Sequence, residues 1–169
     1  MFSLRIDYSI RWKMPFIKKR WFREGKLHRL KGPSYISNYT KEWHICGTRH
    51  RENGPALEHS NGGKEWWIFG FKFIIKQTDF NIETYKKIGK EKVLSSMGDE
   101  PAVVWKNGTK EWYFDGLLHR FEKPAIEYAN GDKEYWYIGQ RLRRDGPAVI
   151  YGNKQYWFEY GFVKLEVLE

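Results

Sequence analysis

Residues 110–132 read KEWYFDGLLHRFEKPAIEYANGD, and this 23-residue stretch decides the fold because the chain repeats it. Upstream stand KRWFREGKLHRLKGPSYISNYT (19–40) and KEWHICGTRHRENGPALEHSNGG (41–63); downstream stand KEYWYIGQRLRRDGPAVIYGNK (133–154) and the half-unit QYWFEYGFVK (155–164). A further unit opens as KEWWIFGFKF (64–73), is interrupted, and resumes as GDEPAVVWKNGT (98–109). The aromatic column Trp21, Trp43, Trp66, Trp112, Tyr135, Trp157 advances by 22, 23, 46, 23 and 22 residues, and the glycines 25, 47, 70, 116, 139 and 161 advance in the same steps. Pro33, Pro55, Pro101, Pro124 and Pro147 fall in register with them. A fixed period of this length marks a stacked repeat architecture.

Each unit contains two strand signals and two turn signals. Pro124–Tyr128 suits a pleat, and its proline stands at a strand start, where a missing N–H costs no ladder bond. Asn130-Gly131, like Asn61-Gly62 and Asn107-Gly108, is a short hairpin signal and predicts a type I′ turn, with Gly152-Asn153 as its variant. Lys133–Tyr137 is the next strand, and Gly139, like Gly25 and Gly116, reverses the chain again. A single hairpin is marginal in water, whereas stacked hairpins bury a continuous face. The expected fold is mainly β: an extended, twisted antiparallel sheet of tandem β-hairpin repeats. Alanines 56, 102, 125 and 148 alternate with Leu57, Val103, Ile126 and Val149, and the Trp/Tyr column alternates with Phe22, His44, Trp67, Tyr113, Trp136 and Phe158. Large apolar groups therefore fall on both faces, which form the core of a thin protein or leave an aromatic stripe open for binding.

The break in the pattern, residues 74–97, carries no recognisable repeat residue. It predicts a short helical insertion capped by Thr78 or Asp79, with Phe80, Ile82, Tyr85 and Ile88 as its inner face, Gly89 as its end and another turn or two over 91–97. The step of 46 across it equals two periods, which this reading treats as coincidence. Such an insertion covers one sheet face, separates two half-sheets (1–73 and 98–169) or projects as a binding element. The chain thus divides into a basic segment and first strand (1–18), the first repeats (19–73), the insertion (74–97) and the remaining repeats (98–169).

These glycine-bounded aromatic hairpins resemble the MORN repeat over about residues 19–164. The aromatic, the turn glycine and the Asn-Gly pair match that style; the His-Arg pair and the Gly-Pro-Ala segment depart from it, as in a MORN-like variant. Repeats of this look are similar to those of large bacteriophages, giant viruses and bacterial accessory proteins. The resemblance implies a scaffold or interaction module, such as a viral accessory protein engaging a host factor. It carries over no functional residue.

Composition narrows the function further. Aromatics are 18% of the chain, with nine tryptophans, and they favour strands. One cysteine, Cys46, excludes a disulfide framework within the chain, and with no long apolar run the expected setting is cytoplasmic. Residues 1–31 hold ten Lys/Arg against Asp7 and Glu24, so they carry +8 of the net +9. A patch of that sign suits nucleic acid, acidic protein or anionic lipid, or serves only as a solvated arm.

The His-Arg pair recurs at 28–29, 50–51 and 119–120 and decays to Leu142-Arg143. Stacking aligns these pairs as an anion-binding track or, structurally, as turn-fixing imidazoles and ring-stacked guanidiniums. Glu42, Glu65, Glu111 and Glu134 recur beside the aromatic column and read as cross-strand partners worth a few tenths of a kcal/mol. His44, Cys46, His50 and His59 match no structural zinc spacing, so no metal is expected. Cys46 shares its position with Phe69, Asp115 and Ile138 and reads as an ordinary pleat residue. With no nucleophile elbow, phosphate loop or isolated acid pair, no catalytic residue or cofactor is assigned. The expected function is a non-enzymatic scaffold binding a protein partner. Candidate contacts are Trp67, Tyr113, Trp136 and Phe158 on the sheet, Arg29, Arg51, Arg120 and Arg143 in the loops, and Lys18, Lys19 and Arg20 in the basic segment. The alternative is nucleic-acid or nucleotide binding by phosphate neutralisation and base stacking. Membrane-surface attachment is a third partner class, and open sheet edges offer a route to a homodimer.

Overall fold

A computed structural model describes residues 1–11, 14–159 and 162–167. Among these residues every regular element is a strand and no helix is present, so none is long and apolar enough to cross a membrane. The strands build one large antiparallel sheet of hairpins with small two-stranded hairpins beside it. The chain forms two compact units, Met1–Phe73 and Ile74–Glu169.

In the first unit the ten-residue strands Phe2–Arg11 and Met14–Arg23 pair without a break from Phe2↔Arg23 to Arg11↔Met14. The ladder continues through Tyr35–Ile36, Thr40–Glu42, Leu57–His59 and Lys64–Ile68. In the second unit Asn81–Ile88 leads into Val103–Trp105, Lys110–Glu111, Ile126–Glu127, Lys133–Glu134, Val149–Tyr151 and Lys154–Glu159.

Three repeats leave this ladder at their column aromatic. Trp43, Trp112 and Tyr135 donate their backbone N–H to the carbonyls of Ala56, Ala125 and Ala148 (2.7–2.9 Å) and accept from the N–H of His50, His119 and Leu142. Beyond the bend the chain forms a short hairpin, as at 44–49, 113–118 and 136–141. Successive hairpins are bridged by Gly47 N–H to Leu27 O and Gly70 N–H to Arg49 O in the first unit, and by Gly139 N–H to Leu118 O in the second. The post-proline residues Ser34, Ala56, Ala102, Ala125 and Ala148 are buried, and so are their successors Leu57, Val103, Ile126 and Val149. Adjacent strand residues point to opposite faces, so both faces of the ladder are covered at these positions.

The Asn-Gly turns are not the type I′ turns that the sequence predicts. At Asn61-Gly62, Asn107-Gly108 and Asn130-Gly131 only the glycine has positive φ (90–94°). Each loop has three residues, closed by bonds such as Gly131 N–H to Tyr128 O and Tyr128 N–H to Asp132 O. Three-residue loops use a type I turn followed by a left-handed glycine rather than type I′. Type I′ geometry appears instead at Cys46-Gly47, Phe69-Gly70, Asp115-Gly116 and Ile138-Gly139, where both residues have positive φ. Cys46 is therefore a left-handed turn residue, not a pleat residue.

The helical insertion is absent. Residues 74–97 run through the strands Phe71–Gln77, Asn81–Ile88 and Glu91–Leu94 with short connections, and Gly89-Lys90 is the hairpin turn joining the last two. The segment is a divergent repeat. Thr84 N–H bonds Ala102 O (2.7 Å), as Trp112 N–H bonds Ala125 O, and Ser95 N–H bonds Thr84 O (3.1 Å), as His119 N–H bonds Trp112 O. Thr84, Ser95 and Ser96 thus occupy the Trp, His and Arg positions. The 46-residue step is two repeats and no coincidence: the stretch preceding Thr84 is shortened, and the hairpin after it is lengthened by the pairs Lys87↔Lys92 and Ile88↔Glu91. The β-branched and aromatic residues Ile82, Thr84, Tyr85 and Ile88 suit a strand, and the helical spacing of Phe80, Ile82, Tyr85 and Ile88 is overridden.

Candidate functional site

The site is assembled from recurring side chains, and their roles are set by what they touch. Each loop arginine lies over its own column ring: Arg29 over Trp21 (4.1 Å to the centroid), Arg51 over Trp43 (4.0 Å), Arg120 over Trp112 (3.7 Å) and Arg143 over Tyr135 (4.1 Å). Each also donates through Nη1 to the carbonyl of the proline four residues on, at 2.9–3.4 Å. The guanidinium therefore staples its loop. Glycine precedes the proline at 32, 54 and 146, where φ is positive (99–146°) and a Cβ would stand 3.2–3.4 Å from the guanidinium carbon; Lys123 takes that place before Pro124. Arg51 and Arg120 also pair with Glu58 and Glu127, and Arg120 with Asp99 (2.9 Å). Geometrically these arginines already have ring, carbonyl and, in two cases, carboxylate partners.

The histidines fix the turn of the following repeat. Nδ1 of His28, His50 and His119 accepts the backbone N–H of Cys46, Phe69 and Ile138 at 3.1–3.3 Å, and Ser95 Oγ accepts that of Asp115 at 3.5 Å. The acceptor holds a turn residue in a left-handed conformation unfavourable to Phe or Ile. Burial lowers the pKa of His119, and burial together with the Arg49 charge lowers that of His44 against an opposing Glu42. His44 Nδ1 lies 2.9 Å from Ser34 Oγ, and His59 is exposed. Among the described residues no three His, Cys, Asp or Glu side chains converge as a metal-holding group.

The glutamate column is more than cross-strand pairing, and the sequence reading missed this. Glu134 is only 2% exposed and takes hydrogen bonds from Tyr128 (2.8 Å), Trp136 Nε1 (2.8 Å), Arg141 (3.1 Å) and Tyr151. Burial pushes its carboxyl up, but the tyrosine bonds, the Arg141 charge and Trp136 outweigh that and hold it below the ordinary range. Glu65 takes Trp67 Nε1 (2.9 Å) and Lys72 (2.9 Å); Glu111 takes Tyr113 Oη (2.9 Å). Burial and the Glu111 bond push Tyr113 up to about 12. The signal available in sequence was the recurrence of Glu two residues before Trp or Tyr, a same-face spacing on a strand.

Trp67, Tyr113, Trp136 and Phe158 are accordingly half-buried, with Arg49 and Lys72 over Trp67 and Arg141 over both Trp136 and Phe158. The rings that stand open are others. In the second unit Phe114, Leu117, Phe121, Tyr137 and Ile138 are each 40–65% exposed, and Leu117 lies against Gly139 of the next hairpin. A cleft of about 520 Å³ opens beside them, lined by Phe121, Tyr137, Leu142, Lys123, Arg143 and Arg144 among others. The basic segment is divided by its pleat. Lys18 and Arg20 share one face with Arg5 and Asp7, whereas Lys19 lies on the other face opposite Ile6. Arg20 and Arg5 both bond Asp7, and Lys18 lies over Phe16.

No protein-family model, curated protein or solved structure matches this chain.

Proposed function

We propose that the chain is a non-enzymatic repeat scaffold that binds a protein partner through the exposed hairpin row of its second unit. The observation that carries this is a division of labour among its side chains. The recurring arginine, histidine and glutamate groups are engaged in holding the repeat, while Phe114, Leu117, Phe121, Tyr137 and Ile138 stay open beside a cleft lined by four cations and by Glu122 and Asp145. Exposed apolar residues that gather into one patch mark interaction surfaces. The partner that fits is a protein segment with apolar side chains for the row and an acidic group for Arg144, since Lys123 is paired with Asp99 (2.8 Å). The MORN-like look of the repeats supports the same scaffold reading.

The test compares native chain with Phe114→Ser/Tyr137→Ser in quantitative affinity capture from the source cells, after circular dichroism has shown both to be folded. Loss of specific partners with the variant supports the reading. Equal recovery, or capture only of nucleic acid that falls steeply with salt, overturns it in favour of the basic segment.

A further inference from the structure

The strand Phe2–Arg11 has one hydrogen-bonded neighbour among the described residues, Met14–Arg23, and presents its other edge bare. The bond from Glu24 N–H to Met1 O, with the register Phe2↔Arg23, shows which backbone groups are used. Odd-numbered residues bond inward, so the N–H and C=O groups of Phe2, Leu4, Ile6, Tyr8 and Ile10 face the open edge. The side chains of these same five residues form one face and are each 50–68% exposed. A ten-residue apolar edge strand with no covering element is a ready template for pairing.

The pattern of this strand is complementary to itself. In antiparallel pairing about a two-fold axis at Ile6, Ile6 meets Ile6, Leu4 meets Tyr8 and Phe2 meets Ile10. On the other face Ser3 meets Ser9 and Arg5 meets Asp7, twice per pair of copies. The apolar residues then fall at hydrogen-bonded positions, and Arg5 and Asp7 at the non-hydrogen-bonded positions where side chains approach closest. Neighbouring registers fail on charge. An axis at Arg5 opposes two arginines, an axis at Asp7 opposes two aspartates, and parallel in-register pairing opposes like charges throughout. A slip by one residue sets apolar side chains opposite polar ones. We infer that Phe2–Ile10 is a homodimerisation strand, joining two copies of this chain edge to edge about Ile6. This goes beyond the partner-binding row of residues 114–138 and does not depend on it.

Sedimentation velocity across a range of protein concentrations tests the inference. The native chain is expected to double in mass as concentration rises. Ile6→Pro removes an outward N–H that bonds nothing among the described residues, so it is expected to leave the fold intact and the chain monomeric. Asp7→Arg is expected to weaken association about 100-fold by facing arginines. Arg5→Asp/Asp7→Arg restores opposite charges across the axis while keeping a carboxylate in the hairpin, now opposite Arg20, and is expected to restore the dimer. In a Cys46→Ser background, Ser3→Cys chains mixed with Ser9→Cys chains are expected to cross-link on oxidation, while neither cross-links alone. A native chain that stays monomeric, a dimer indifferent to Ile6→Pro, a swap that fails to rescue, or this edge occupied by a different protein's strand overturns it.

Discussion

Residues 112–125 and 84–102 occupy the same hydrogen-bonded frame and share Tyr113/Tyr85, Leu118/Leu94 and the Pro-Ala pair, but differ at the ring, imidazole and guanidinium positions. In the first, Trp112 is 4% exposed beneath Arg120, His119 caps a turn, and the arginine ties its loop to Pro124. In the second, Thr84, Ser95 and Ser96 stand at those positions, and a hairpin longer by two residue pairs follows. The backbone bonds are conserved and the ring, imidazole and guanidinium are not. The frame is thus set by the strand–bend–hairpin course of the chain, and the large side chains add packing to it. The divergent repeat keeps the turn-capping function in reduced form, since Ser95 Oγ reaches Asp115 N–H at 3.5 Å where imidazoles reach 3.1–3.3 Å.

If that division is right, substitutions should cost far more in the regular repeat. Trp112→Ala is expected to lose about 4 kcal/mol in urea unfolding, as for a large buried aromatic, and Thr84→Ala no more than about 1 kcal/mol. Equal losses would break the comparison. Glu134→Ala should cost about 3 kcal/mol, because it orphans Tyr128, Tyr151 and Trp136. Glu83→Ala, at the same position in the divergent repeat, should cost about 1 kcal/mol. Arg120→Ala should cost about 2 kcal/mol through its ring and loop contacts, and Arg120→Lys should recover little, since lysine lacks the planar fork.

The pH dependence sharpens the same contrast. His44 and His119 lie below their ordinary 6.5 when folded, so the unfolded chain binds their protons first. The stability they lend is complete above pH 6.5 and is lost as pH falls, with Asp99, Glu65, Glu83 and Glu134 adding to the loss below 4.5. Tyr113 is raised to about 12, so its share is complete below the ordinary 10.0 and is lost as pH climbs toward 12. His119→Ser, which installs the side chain found at Ser95, should flatten the acid limb in thermal melts and change little at pH 8. The smallest effect is a gain. Ile138 holds φ at 46°, and Ile138→Asn should stabilise the chain by about 1 kcal/mol.

The hairpin array, its period and its buried Ala-Leu/Val/Ile pairs were legible in the sequence because turn glycines and prolines mark chain geometry directly. Residues 74–97 were not, because their kinship lies in backbone bonds that Thr84 and Ser95 make as well as Trp and His do. The role of the arginines was legible only as a pair of alternatives, and the burial of Glu134 not at all, since recurrence at a fixed spacing does not say whether a side chain turns inward or outward. Phe114, Leu117 and Phe121 went unnoticed for the opposite reason: they recur weakly, and a search for periodicity passes over what varies.

The imidazole of one repeat closes the turn of the repeat after it, never its own. His28 serves Cys46, His50 serves Phe69 and His119 serves Ile138. The array therefore has a direction, like a row of hooks and eyes. A cut between repeats leaves an empty hook on one side and an unfastened eye on the other. Whole cassettes can be added or removed so long as each junction still presents an acceptor to the turn that succeeds it.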